Sequence, residues 1–188
     1  MKPLLTEQDY LLAACKLDTG IAEIKTVATV ESAGKGFQDN GAPRILFERH
    51  KFHEYTGGKY SAANPDISNK TPGGYSKNSE GEHLRMAKAS ALDRNAALMA
   101  ASWGKFQVLG YNWKSLGYPS LQAFINDMYE SEGKHLESFV RFVKANRLDD
   151  ELRTHNWAAF AKGYNGRNYA INKYDKKLAA AFAQFSKK

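Results

Sequence analysis

Apolar positions recur first at helical spacing. Near the amino terminus, Thr6 followed by Asp9 matches a capping box, and the pattern after it predicts a helix through Leu17. The segment LDTG then breaks the chain. From Ile21 onward, Ile21, Ile24, Ala28 and Glu31 fall three or four residues apart, which predicts a second amphipathic helix stopped by Gly34 and Gly36. The period then changes. An Asn40–Gly41 turn signal precedes a β-rich run from Arg44 to Phe52, where a small hairpin or sheet is expected. Alternation along it would put Ile45, Phe47 and Arg49 on one face and Leu46, Glu48 and His50 on the other. Residues 55–81 are rich in Gly, Ser, Asn, Lys, Tyr and Pro and lack periodicity, so they read as an irregular surface excursion. Helical spacing resumes at SEGEHLRMAKASALDRNAALMAAS, with Ser79 and Glu82 as a second capping box. Further helices are expected at 120–131, 135–146, 156–162 and 170–185, and there is no internal repeat.

This pattern makes the fold class mainly α (α+β): a helical domain with a small β-containing lobe at about 37–80 and an irregular insertion. The length of 188 residues suits one domain with a real core. The net charge of +7 is spread along the chain without a basic block. It suits either a plain solvated surface or an anionic partner such as nucleic acid, a membrane surface or an acidic wall polymer. Cys15 is the only cysteine, so no intrachain disulfide can form and folding in a reducing cytosol is expected. No apolar run reaches transmembrane length. The first 18 residues carry acids inside their apolar pattern and read as an amphipathic helix, not a signal peptide. A target outside the cytoplasm would then require a separate means of release.

The chemistry centres on TVESAGKGF. Glu31 extends the apolar stripe at the last turn of its helix. Partial burial and the negative end of the helix dipole would both raise its pKa, which suits a general acid that protonates a departing glycosidic oxygen. The bland alternative is a surface glutamate at a helix end. Far downstream, ASWGKFQVLGYNW sets Ser102, Gly104 and Gln107 among aromatics, and WAAFAKGYNG ends a short helix in Tyr164, Asn165 and Gly166. A helix-ending Glu-Ser, a later Gly-x-x-Gln and a late Tyr-Asn-Gly, in that order, resemble the goose-type lysozyme and lytic transglycosylase superfamily. VESAGKGF, ILFERHKFHEYTGGKY, SWGKFQVLGYNW and AKGYNG together resemble more closely the N-acetylmuramidase family of phage and prophage endolysins, over roughly residues 21–180.

The resemblance implies a lysozyme-like fold. It also implies hydrolysis of the β-1,4 bond between N-acetylmuramic acid and N-acetylglucosamine in peptidoglycan, without metal or other cofactor. Glu31 matches the family's catalytic acid, and Gln107, Tyr164 and Asn165 match positions that line the saccharide cleft. Ser102 has no obvious His–Asp partners and reads as a hydrogen-bonding residue toward substrate or Glu31. Because the motifs span nearly the whole chain, residues 1–188 are expected to be one catalytic domain without a separate wall-binding domain. The protein would be a monomer that stays in the host cytoplasm until a holin releases it to the wall, with peptidoglycan and not nucleic acid as its partner.

Glycoside hydrolysis usually takes a second carboxylate. Glu48 is the candidate, as base or nucleophile across the cleft; alternatively it pairs with Arg44, Arg49 or a lysine and only holds the hairpin. Asp39 better suits the turn. A single-acid mechanism with a 1,6-anhydro product also stays open, as does a non-enzymatic wall- or nucleic-acid-binding module in which Glu31 would be dispensable. His50, His53, Glu54 and His83 hint at a metal, but His-x-x-His on a strand would put the rings on opposite faces, and hydrogen-bonding histidines are the simpler reading. Trp103, Tyr111 and Trp113 either stack on sugars or belong to the core. The carboxy-terminal INKYDKKLAAAFAQFSKK is a basic amphipathic helix with the stripe Ile171, Tyr174, Leu178 and Phe182. That stripe either packs on the domain or contacts an anionic outer membrane.

Overall fold

A computed structural model describes residues 2–31 and 34–187, with the side chains of Glu31, Arg167 and Asn168 outside that description. Among the described residues, ten α-helices surround one small sheet. The helices are α1 (Glu7–Leu17), α2 (Ile21–Glu31), α3 (Arg49–Tyr55), α4 (Ser79–Ser90), α5 (Arg94–Met99), α6 (Leu121–Glu130), α7 (Glu132–Ala145), α8 (Asp149–Arg153), α9 (Trp157–Asn165) and α10 (Tyr174–Phe185). The strands β1 (Ile45–Phe47), β2 (Ala101–Trp103) and β3 (Val108–Leu109) form an antiparallel sheet in that order. The mainly-α class with a small β element is the observed one.

Local chemistry explains the helix starts. Thr6 and Asp9 close the expected capping box on α1, with both reciprocal bonds present. Ser120 and Ser131 cap α6 and α7. The second expected capping box does not form. The Ser79 hydroxyl is taken by strand β1, accepting from Ile45 N at 2.8 Å, so the cap falls to Asn78, whose side chain accepts from Gly81 N at 2.9 Å. Glu82 is likewise drawn away. It is 2% exposed, and its carboxylate accepts from Phe47 N at 3.0 Å, from Ser76 N and from Arg85 Nη1 at 2.8 Å.

The expected hairpin around Arg44–Phe52 is corrected. The Asn40–Gly41 turn exists, but it closes only a single bridge, Phe37 to Pro43. Strand β1 is three residues long, and the chain turns helical at Arg49, with Glu48 at the N-cap position of α3. The partners of β1 lie far away in sequence: Ile45 faces Trp103, Leu46 faces Ser102 and Phe47 faces Ala101. The ASWGKFQVLG segment, not the stretch after Asn40–Gly41, supplies the two-stranded hairpin.

The core runs continuously from α1 through the sheet to α10. Its largest fully buried side chains include Trp103, Phe47, Phe52, Phe106, Phe124, Phe139 and Phe160. The irregular stretch after α3 is anchored by fully buried Ile67 and Ser68. Helix α10 packs on α2 and α9, with Leu178 buried and Phe182 against His155 and Trp157 at 4.1 and 5.4 Å between ring centres. No helix among the described residues is long and apolar enough to cross a membrane.

Because the buried Glu82 carboxylate ties β1, the loop at Ser76 and Arg85 together, truncating it leaves two backbone donors without their acceptor and removes the ion pair of the half-buried Arg85, which keeps only its bonds to Phe47 O and Asp66 O. Glu82→Ala should therefore cost about 3–5 kcal/mol of unfolding free energy. Urea denaturation checks this; a loss below about 1 kcal/mol would mean that the knot is solvated.

Candidate functional site

Strand alternation builds a floor. Leu46, Ser102 and Leu109 are cross-strand neighbours on the three strands, so their side chains form one row on the same face of the sheet. Ile45, Phe47, Ala101 and Trp103 point the other way, into the core. A cavity of about 410 Å³ opens over this row. Its walls are Phe106, Gln107 and Val108 from the hairpin, Asn112 from the 3₁₀ turn Gly110–Trp113, Phe142 from α7, Tyr164 and Asn165 from the end of α9, and Tyr174 from α10. Ser102, Gln107, Tyr164 and Asn165, distant along the chain, are thus brought together in one cavity.

Each is held by its element. Gln107 sits in the hairpin turn with φ at +50°, and its Nε2 donates to Gly104 O at 2.8 Å. The Tyr164 hydroxyl donates to Phe106 O at 2.6 Å, while its ring stacks on Phe160 and meets Phe139 and Phe142 edge-on. This bond fastens the end of α9 to the hairpin and keeps the cavity between them.

The expectation for Glu31 concerns a side chain outside the described residues. Its backbone closes α2. At Gly34 the chain is pinned to the same hairpin turn, Lys105 Nζ donating to Gly34 O at 2.5 Å, and at Gly36 to the residue before β1, Arg44 N donating to Gly36 O at 2.8 Å. Gly34, three residues past α2, therefore lies against the turn that carries Phe106 and Gln107.

Two buried polar side chains of α7 hold that corner. Glu132, 3% exposed, accepts from Gly36 N at 2.6 Å and from Leu5 N at 3.3 Å, with Lys105 Nζ 3.6 Å away. His135, fully buried, accepts from Lys105 N at Nδ1 (3.1 Å) and donates from Nε2 to Met128 O (2.8 Å). That pair of bonds requires the neutral ring, and burial pushes its pKa below the ordinary imidazole value. Gly36 and Gly104 make room for it. A Cβ at Gly36 would lie 2.7 Å from the ring, and one at Gly104, whose φ is +68°, would lie 2.8 Å from it.

Glu48 stands apart from the cavity lining. The Tyr75 hydroxyl donates to its Oε2 at 2.8 Å, and His50 Nδ1 lies 3.2 Å from the same oxygen. Burial, then the bond to Glu48, pushes the Tyr75 phenol up to about 12. Among the described residues Glu48 pairs with none of Arg44, Arg49 or a lysine, and its Oε1 has no partner. The His-x-x-His pair lies on helix α3, not on a strand. His53 bonds Ser61 at 2.7 Å and His83 bonds Pro43 O at 2.8 Å, and no cluster of three or more metal-ligating groups occurs among the described residues.

Several lining positions escape a reading of the sequence. Phe142 lines the cavity from a helix with no motif, Asn112 from within ASWGKFQVLGYNW without being singled out, and Tyr174 from the stripe expected to pack or meet a membrane. Glu132 and His135 did leave a signal: with Leu136, Phe139 and Val143 they complete the inward stripe of α7, so two polar residues occupy core positions. The expected start of this helix at residue 135 left Glu132 outside it.

Comparison with known proteins adds to this geometry. The family model of the N-acetylmuramidases matches residues 20–186. Among solved structures, the crystal structure of the Burkholderia AP3 phage endolysin superposes with a TM-score of 0.92 at 42% sequence identity, covering 98% of this chain and 73% of that one. No curated protein matches the chain.

The neutral His135 makes a signed pH prediction. Its pKa is lowered on folding from the model-peptide value of 6.5, so the unfolded chain takes up the proton first. The contribution of His135 is complete above about pH 6.5 and is lost as pH falls through the folded value. Between about pH 7.5 and 5, the melting temperature of the wild type should drop more steeply than that of His135→Gln. Parallel slopes would show that this imidazole is not linked to folding.

Proposed function

The chain belongs to the N-acetylmuramidase family, and on that premise we propose that it is a peptidoglycan-hydrolysing endolysin of a phage or prophage, cutting the β-1,4 bond between N-acetylmuramic acid and N-acetylglucosamine. One observation carries the reading beyond family membership: Ser102, Gln107, Tyr164 and Asn165 line a single cavity beside the hairpin turn whose Lys105 binds Gly34, three residues past Glu31.

In this reading a glycan strand lies over the Leu46–Ser102–Leu109 floor. Polar groups of Ser102, Gln107, Asn112 and Asn165 hydrogen-bond its hydroxyl and acetamido groups, and Phe106 and Phe142 shed water from its apolar edges. Glu31 donates a proton to the departing glycosidic oxygen. For the second carboxylate we assign Glu48 as the base that activates a water. Its Oε2 accepts from Tyr75, its Oε1 has no partner among the described residues, and Leu46, two residues earlier, lines the cavity. A second reading, in which Glu48 only braces α3 against the loop at Tyr75, is favoured by its place off the cavity wall. Synthesis in the cytoplasm, release through a holin and action as a monomer complete the proposal.

Glu31→Gln keeps shape and loses the proton, so lysis of purified walls should fall by about 10²–10⁴-fold while the fold stays intact. Wild-type turbidity clearing by this variant would remove Glu31 from the mechanism. Glu48→Gln separates the two readings of that residue. As base, it should lose activity by a similar factor of about 10² or more at an unchanged melting temperature. A lowered melting temperature with full activity per folded molecule would make it a brace.

A further inference from the structure

A second cavity, also of about 410 Å³, flanks the same 3₁₀ turn as the first. It is lined by Met99, Tyr111, Trp113, Lys114 and Ser115. The two cavities share one wall, the 3₁₀ turn Gly110–Trp113, in which Asn112 faces the first and Tyr111 and Trp113 line the second. A 3₁₀ turn has three residues per turn, so consecutive side chains diverge by about 120°, and Tyr111 and Asn112 necessarily address different spaces. The turn is rigidly seated: Gly110 lies so close to Leu98 that a Cβ would fall 2.2 Å from its carbonyl oxygen.

Tyr111 is not a core aromatic. It is 55% exposed, yet one face of its ring stacks on Tyr55 at 5.0 Å between centres and 10° between planes. Tyr55 is the last residue of α3, half-buried against the core, and fixes the orientation of the outer ring. A flat aromatic held from behind offers its outer face to an apolar ligand surface with little conformational entropy left to lose on binding. Its surroundings specify the ligand: apolar walls from Met99 and Trp113, with Lys114 and Ser115 as polar groups beside them. A hexosamine ring presents its axial C–H groups as one apolar face and carries hydroxyls and an acetamido group around its edge.

We propose that the Tyr55–Tyr111 stack is a distal saccharide subsite, taking an N-acetylated hexosamine of the same glycan strand beyond the cavity that contains Ser102 and Gln107. This rests on the glycan-hydrolase reading above. The occupant is argued from the shared turn: the same four-residue element lines the first cavity through Asn112 and carries Tyr111, so a strand that crosses this turn would occupy both. Tyr111 is here a binding residue, and no proton transfer passes through it. Its consequence is length dependence, with long strands held better than short ones.

The test measures binding of amidase-stripped glycan fragments, a tetrasaccharide and an octasaccharide, by titration calorimetry in a Glu31→Gln background. Tyr111→Ala should weaken octasaccharide binding by about 3–10-fold and leave tetrasaccharide binding unchanged. Tyr111→Trp should restore the gain, and matched melting temperatures would show that the loss is local. Equal octasaccharide affinity with and without the ring, or a parallel loss for both lengths, overturns the subsite. Failure of the underlying reading looks different. If the wild type binds these glycans but mass spectrometry finds no cleaved bond, the hydrolase assignment falls while the subsite is still decided by the binding ratio. If Glu31→Gln still cleaves, the KM ratio on the two lengths decides it instead.

Discussion

The corner that carries the cavity depends on an imidazole that must stay neutral. His135 accepts a bond from the hairpin at Lys105 N and gives one to Met128 O, so a protonated ring would face a backbone N–H at 3.1 Å with nothing to accept. One helical turn earlier, Glu132 gathers the backbone of Gly36 and Leu5. Together the two side chains fasten four chain segments that are far apart in sequence: the amino terminus, the stretch after α2, the hairpin turn, and α7 itself. Buried polar groups of this kind contribute modestly when satisfied and cost heavily when one partner is lost. Their value here is positional, because they pin Gly36, five residues past Glu31, and the hairpin turn that leads into Gln107.

The same logic recurs at Glu82, which fixes the other end of β1. A three-residue strand cannot hold a register by its own ladder. β1 is short, yet Leu46 must land opposite Ser102 for the cavity floor to exist. The carboxylate of Glu82 on Phe47 N and the hydroxyl of Ser79 on Ile45 N supply the specification that strand length does not. The small sheet is thus positioned by α4 from one side and by α7 from the other, and the cavity lies on the face that remains.

This division explains what could be read from the sequence. The α1 capping box, the end of α2 and the starts of α6 and α7 depend on residues within a turn of one another, and local chemistry decides them. Gln107, Tyr164 and Asn165 were legible only through a resemblance to a family, and Ser102 only as a hydrogen-bonding serine, since nothing in their spacing announces that three strands and three helices converge on one cavity. The strand expected from Arg44 to Phe52 was overextended because alternation continues through RILFERH, whereas the partner strand ends opposite Phe47 and the chain is free to turn helical. Ser79 was misread as a cap because its hydroxyl is captured by a strand more than thirty residues upstream. In each case a long-range bond overrode a local preference, and a single sequence does not record which bonds compete.

The carboxy-terminal helix shows how one element can be constrained by two demands. Its stripe was expected either to pack on the domain or to meet an anionic membrane. Leu178 and Ala181 are buried, Phe182 packs on His155 and Trp157, and Tyr174 lines the cavity. Inserting this face into lipid would withdraw Tyr174 from the cavity wall and uncover α2 along the helix that leads to Glu31. Lys173, Lys176 and Lys177 are exposed, and Lys177 lies over the Tyr174 ring at 5.2 Å. These lysines can meet anionic headgroups while the helix remains docked. Any membrane contact compatible with an intact cleft is therefore electrostatic and made from the polar face, and it would weaken with salt in a way that insertion of the apolar stripe would not.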